Sequence, residues 1–186
     1  MSTTQTNGGW NLDLAHSGIH FSVRHMVIAK VRGRFAKFAA NALIDEKDLT
    51  RSNVDVTIDA ASIDTGIADR DAHLRSPDFL DAERFPTLSY KSKRVERVTD
   101  SHYRLVGNLT IRDVTREVSL DVDYGGFGKD PWGNERVGFT AKTSLDRKDF
   151  GLHWNQVLET GGVLVGDRVD IEIEIEAARS KEQRAA

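Results

Sequence analysis

The chain of 186 residues contains no cysteine, which excludes disulfides, thiolate nucleophiles and zinc held by sulfur. Nothing in it approaches the roughly 18 consecutive apolar residues that a membrane-spanning helix needs. No charge of one sign dominates either. Its 26 basic and 29 acidic residues give a net charge of −3, too little for strong attraction to a polyanion or an anionic membrane surface, so nucleic acid is not an expected partner. The opening MSTTQTNGGWNLDL lacks the basic start, apolar centre and small-residue cleavage site of a secretory signal, which makes the cytoplasm the expected compartment. Internal repeats and low-complexity segments are missing too, and the length suits one domain with a sizeable core.

What is there is alternation. In VDIEIEIEA, Val169, Ile171, Ile173 and Ile175 share one face and Asp170, Glu172, Glu174 and Glu176 the other, the pattern of a half-buried antiparallel strand. The same period recurs in VTREVSLDVDY (with Arg116 intruding), VGFTAKTSL, YRLVGNLTI, VDVTI, LSYKS and WNLDL. Seven or more such strands predict an all-β sandwich or barrel. Between Gly33 and Ile44 the inward positions slip from Gly33 and Phe35 to Phe38, Ala40, Ala42 and Ile44, which predicts a bulge in one long strand and suits a strongly curved sheet. Turn signals fall at 45–48, 98–102, 125–134 and 160–167.

One stretch breaks this rhythm. DRDAHLRSPDFLDAERFP, Asp69 to Pro86, has the palette of a hydrolase site but helical spacing. Asp71 and Arg75 stand at i, i+4 in the orientation that supports a helix turn, beside a thin apolar stripe of Ile67, Ala68, Ala72 and Leu74. Ser76, Pro77 and Asp78 then read as the start of a second short helix with Phe79 and Leu80 on its buried side. Phe85, before Pro86, is held extended and returns the chain to a strand. Every charge here has a capping, pairing or solvation role, so the segment reads as a lid rather than as catalytic machinery.

Chemical motifs are otherwise sparse. GxSxG and HExxH are absent, and GGFGKD at 125–130 lacks both the dinucleotide fingerprint and the P-loop Lys-Ser/Thr, leaving a turn. His16, His20 and His25 are close in sequence, but strand parity sends His20 and His25 to opposite faces and no carboxylate ligand is evident, so no metal site is expected. His25, on the apolar face, reads first as a hydrogen-bonded core residue.

The segments HSGIHFSVRHM, ASIDTG, RDAHLRSPDFLDAERFPTLSYKS, GNLTIRDVTREVSL, DPWGNERVGF, RKDFGLHWN and VGDRVDIEIEIE, in this order from about Trp10 to Glu176, resemble the YceI-like family of polyisoprenoid-binding proteins. The resemblance implies an extended antiparallel eight-stranded barrel of lipocalin-like shape with a short helical lid, holding a long isoprenoid lipid in an apolar tunnel. It implies no catalysis and no cofactor apart from the bound lipid. Residues 10–178 would form this barrel, with flexible ends at 1–9 and 179–186. One departure is visible: the family usually reads Leu-Thr-Ile-x-Gly-Val-Thr, and Asp113 replaces that glycine, a substitution compatible with a left-handed or turn conformation.

The expected function is therefore non-catalytic binding, transport or sequestration of a long-chain polyisoprenoid of quinone or polyprenyl phosphate type. The alternative is an enzyme acting on an isoprenoid or other amphiphile, which would need a polar constellation inside the barrel. The expected partners are the isoprenoid lipid and a second copy of the chain in a homodimer. Strand parity nominates Phe21, Phe35, Val56, Ile58, Leu88, Tyr90, Leu109, Phe139, Ala141 and Leu145 for the tunnel wall, Phe79, Phe150 and Trp154 for the lid and mouth, and His25, Arg70 and His73 for the polar end of the ligand.

Overall fold

The computed structural model describes residues 5–6, 9–26, 28–159 and 162–179. The alternating segments become the strands of a single antiparallel sheet: β1 (Gln5–Thr6), β2 (Trp10–Leu12), β3 (Gly18–His25), β4 (Ala29–Phe35), β5 (Phe38–Leu43), β6 (Asn53–Asp59), β7 (Ile63–Asp64), β8 (Thr87–Arg97), β9 (His102–Ile111), β10 (Val114–Lys129), β11 (Glu135–Asp146) and β12 (Val165–Arg179). One helix, α1 (Ala68–Arg75), interrupts them. The hydrogen-bonded order is β5-β6-β8-β9-β10-β11-β12-β3-β4-β7, with β2 joining β12 to β1. The expected extra termini lie mostly outside the described residues; within them Gln5 and Thr6 pair with Asn11 and Trp10, and Arg179 ends β12.

Twelve strands stand where eight were expected, for a simple reason. β1, β2 and β7 are patches of two or three residues, and β4 and β5 are halves of one strand. The phase slip seen in the sequence falls between Phe35 and Phe38. There the chain leaves β3 and takes up β6, while Ala36 N–H reaches Ser62 O and Lys37 O accepts from Asp59 N–H. This kinked strand curls the sheet back on itself, and the eight long strands make the all-β barrel. A second bulge, between Tyr124 and Gly126, corrects the turn expected over 125–134. Gly126 adopts φ 97°, which costs a glycine little, and β10 continues to Lys129 before turning at Asp130–Asn134.

The registers place the ends of β3, β6, β9 and β11 with the starts of β4, β8, β10 and β12 at one end of the barrel. The segment from β6 to β8, α1 included, lies at that end. The opposite end is plugged by Trp10, Val137 and Ala177, with Tyr124, Phe139 and Ile44 against them.

The lid differs from its expectation in detail. Asp71 does not pair with Arg75. It is buried and accepts from Thr65 N–H (2.9 Å) and Thr65 Oγ1 (2.6 Å), whereas Arg75 donates to Ala61 O and Ile63 O. Ile67 is exposed, so only Leu74 of the proposed stripe packs on the core. The second helix does not form: Leu80 N–H and Ala82 N–H turn back onto Leu74 O and Arg75 O, Asp81 takes φ 48°, and the chain winds as consecutive turns against the end of α1. The β9–β10 hairpin likewise puts its positive φ, 57°, on Arg112 rather than Asp113. Arg112 Nη1 approaches Phe79 O at 3.4 Å and its guanidinium lies over the Phe85 ring, tying this hairpin to the lid.

Candidate functional site

Inward-facing apolar residues from every long strand enclose a cavity of about 490 Å3. The volume is within the range of small-ligand sites. Phe21, Phe35, Val56, Ile58, Leu88, Tyr90, Leu109, Phe139, Ala141 and Leu145 all contribute to its wall, as do Phe79, Trp154, His25, Arg70 and His73. Phe150 does not. It closes a short 3-10 turn, Arg147–Phe150, and is fully buried in the core outside the cavity.

The wall is shaped by local fits. Phe21 pairs with Gly33 across β3 and β4, and a Cβ at that glycine would collide with the Phe21 ring and with Thr65; glycine lets the aromatic lie flat along the wall. Tyr90 buries its ring and uses its hydroxyl on Leu105 O (3.1 Å) and Val118 O (3.3 Å), so the one phenol in the middle of the wall is satisfied by backbone. Burial pushes its pKa up, which keeps it neutral.

Polar groups collect toward the lid. Arg70 donates from Nε to Thr65 Oγ1 (2.7 Å) and from Nη2 to Thr65 O (3.0 Å). The His73 ring meets Phe79 and Trp154 edge-on, with centroids 5.1 and 4.6 Å away, and its Nε2 is 2.9 Å from Asp78. His25 is half-buried in the wall and makes no side-chain hydrogen bond among the described residues, against the expectation of a satisfied core histidine. Among the described residues no aspartate or glutamate lines the cavity. Its titratable wall residues are Arg70, Arg147, His25, His73 and two tyrosines, and the exposed Arg24 and His20 touch its edge.

Arg147 escaped the sequence reading. Its guanidinium is buried and donates to Gly166 O (3.0 Å), Leu152 O (2.6 Å) and Trp154 O (2.9 Å), with Asp167 at 3.4 Å. Burial pushes its pKa down, and Asp167 and Asp146 oppose that. The residue ties Leu152 and Trp154 to Gly166 over the barrel end and so positions Trp154. Within RKDF a buried arginine reads like any solvated charge; only the quoted run RKDFGLHWN marked the place.

His73 and Asp78 form a pair, and among the described residues no hydroxyl or thiol is hydrogen-bonded to the imidazole. The described residues do gather Asp13, His16 and Glu176 at the opposite end, a grouping the sequence hid because Glu176 arrives from β12. Arg136 Nη1 already occupies it, 2.6 Å from Asp13 and 2.5 Å from Glu176.

The model of the YceI-like domain family matches residues 10–177, and the chain belongs to that family. A UPF0312 protein of Staphylococcus epidermidis is 36% identical over 168 residues, which cover 90% of this chain and 95% of that protein. Among solved structures, BcnA of Burkholderia cenocepacia superposes with a TM-score of 0.78 at 24% identity, covering 89% of this chain and 98% of BcnA. A polyisoprenoid binding domain from Saccharophagus degradans superposes with a TM-score of 0.67 at 12% identity, covering 93% and 99%. These two likenesses are of fold.

Proposed function

We propose that the protein binds a long-chain isoprenoid lipid in its barrel cavity, as a carrier or sequestering protein and not as an enzyme. The observation that carries this is the cavity itself: about 490 Å3 walled by apolar side chains in the middle of the domain. An apolar wall of this extent left against water is unfavourable, so an apolar occupant is favoured. Burying even ~300 Å2 of alkenyl chain at about 25 cal/mol per Å2 supplies several kcal/mol, less the ordering of a flexible lipid. The likeness in fold to a polyisoprenoid binding domain supports the same ligand class.

The head group belongs at the lid end, where Arg70, His73 and His25 meet the cavity and, among the described residues, no carboxylate does. A wall with only basic charged groups favours a head group rich in acceptor oxygens, of polyprenyl phosphate or quinone type. Loading and release would require the Trp154 segment and the lid to part, since Phe79, His73 and Trp154 stack across that seam.

Mass spectrometry of an organic extract of the purified protein tests the proposal, with thermal melting of delipidated protein in the presence of polyprenyl phosphate or quinone. Released isoprenoid and a raised Tm are expected, because a ligand of the native state must stabilise it. No released lipid together with no shift by either compound would sink it. A hydrolytic turnover lost in His73→Ala at unchanged Tm would replace it with an enzyme.

A further inference from the structure

The net charge of −3 conceals an uneven distribution. From Leu14 to Ile44 the sequence contains no aspartate or glutamate but five Lys or Arg, namely Arg24, Lys30, Arg32, Arg34 and Lys37. This acid-free run supplies the β3–β4 hairpin, whose solvent face sets Arg24 opposite Lys30, Ser22 opposite Arg32 and His20 opposite Arg34. Directly opposed like charges such as Arg24 and Lys30 oppose strand pairing. Lys30 is compensated by Asp170 at 3.5 Å and Arg34 by Asp64 at 3.1 Å.

The hairpin does not stand alone. Met26 N–H bonds Leu164 O (3.0 Å), Leu164 N–H bonds Gln156 O (2.9 Å), and Val157 bridges Val163, so the hairpin, residues 155–159 and residues 162–165 form one ribbon that prolongs the barrel wall at the cavity end. Asn155 clamps it through two bonds to Val165, 2.7 Å to its carbonyl and 3.0 Å from its N–H. Along this lip the apolar side chains point outward: Ile28 is 81% exposed, Val157 78%, and Met26 and Val163 are also open to solvent. Met26 holds φ 51°, a conformation in which Asn or Gly would cost less than a large apolar residue. Leu164, between them, is already part of the cavity wall.

We propose that this lip seats the cavity mouth on an anionic lipid bilayer, its apolar tip entering the interface while the basic hairpin meets the phosphates. The inference rests on the lipid-binding reading above, since it supplies the surface from which the lipid would come. Exposed apolar tips flanked by basic residues are the two elements of interfacial membrane binding, and a local basic field acts within a Debye length whatever the distant acids contribute. A protein partner would use the apolar tip without needing an anionic lipid.

Sedimentation with vesicles of phosphatidylcholine, with and without phosphatidylglycerol, at low and high salt, tests this on the full chain. Binding to the anionic vesicles that weakens with salt is expected. Ile28→Asp with Val157→Asp should lower the partition coefficient at least about tenfold, and Arg32→Glu by about fivefold or more. Trp132→Asp, at an equally exposed tryptophan on the other end (82%), should bind as the parent does. All variants should take up polyprenyl phosphate from detergent micelles normally. A parent protein that takes up lipid from micelles yet ignores anionic vesicles, or an Ile28/Val157 double variant that sediments unchanged, overturns docking and leaves the carrier reading standing. Vesicle binding that follows these variants, with no uptake from micelles, supports docking and removes the carrier reading alone.

Discussion

At one end of the barrel Trp10 is wholly buried against Val137 and Ala177, Arg179 lies 4.5 Å over its ring, and Arg136 joins Asp13, Asp130 and Glu176. At the other, Arg147 is given over to backbone carbonyls, His73 and Phe79 meet Trp154 edge to face or tilted, and an apolar lip faces solvent. Both ends use arginine and tryptophan, but to different effect. The first couples side chains of β2, β10, β11 and β12 into a packed plug. The second holds loops in place without filling the space beneath them.

The largest effect should come from the plug. Trp10→Ala removes a fully buried indole and is expected to cost about 3–5 kcal/mol in urea unfolding. Trp154→Ala should cost well under half of that and speed lipid exchange, read by stopped-flow release into acceptor vesicles. Equal losses at the two ends would break the comparison.

A middle-sized effect separates a hollow wall from a filled core. Ala141 pairs with Val122 and Ile173 and lines the cavity. In a packed core an indole there would be overpacked, typically by about 1–3 kcal/mol. Ala141→Trp should instead keep near-parental thermal stability once both proteins are delipidated, and bind lipid far more weakly, checked by circular dichroism melting and titration. A large stability loss would mean that the middle of the barrel is filled like the plug.

The smallest effect is electrostatic and local to the plug. Burial pushes the Asp13 carboxyl up, but Arg136 and His16 outweigh it and bring the pKa from the usual 3.8 to about 2. Asn134 and then Arg136 hold Asp130 at about 2 as well. Since folding lowers both values, the stabilisation is full above about pH 4 and is lost as pH falls through about 2. Melting temperature should drop across that window, and Asp13→Asn with Asp130→Asn should flatten the drop while lowering Tm at neutral pH.

The wall of the cavity was legible because strand parity is a local property: once Phe139 points in, Ala141 and Leu145 follow. The break between Phe35 and Phe38 was legible for the same reason, since a bulge shifts the phase of the alternation. Phe150 misled because an aromatic in a turn carries no parity, and the 3-10 turn rolled it into the core. The second lid helix failed although Ser76-Pro77-Asp78 is a sound start signal, because carbonyls at the end of α1 captured the N–H groups that a new helix would have used.

The sequence alone therefore determined which strand residues face inward, that the fold is an all-β sandwich or barrel, and that a short helix interrupts it, all consequences of periods of two and 3.6 residues. Only the tertiary structure decided that the inward faces enclose a void, that Arg147 is buried, and that Arg136 meets Asp13 from 123 positions away. Those depend on how far apart the walls stand and which chain ends meet, and no local period encodes either distance.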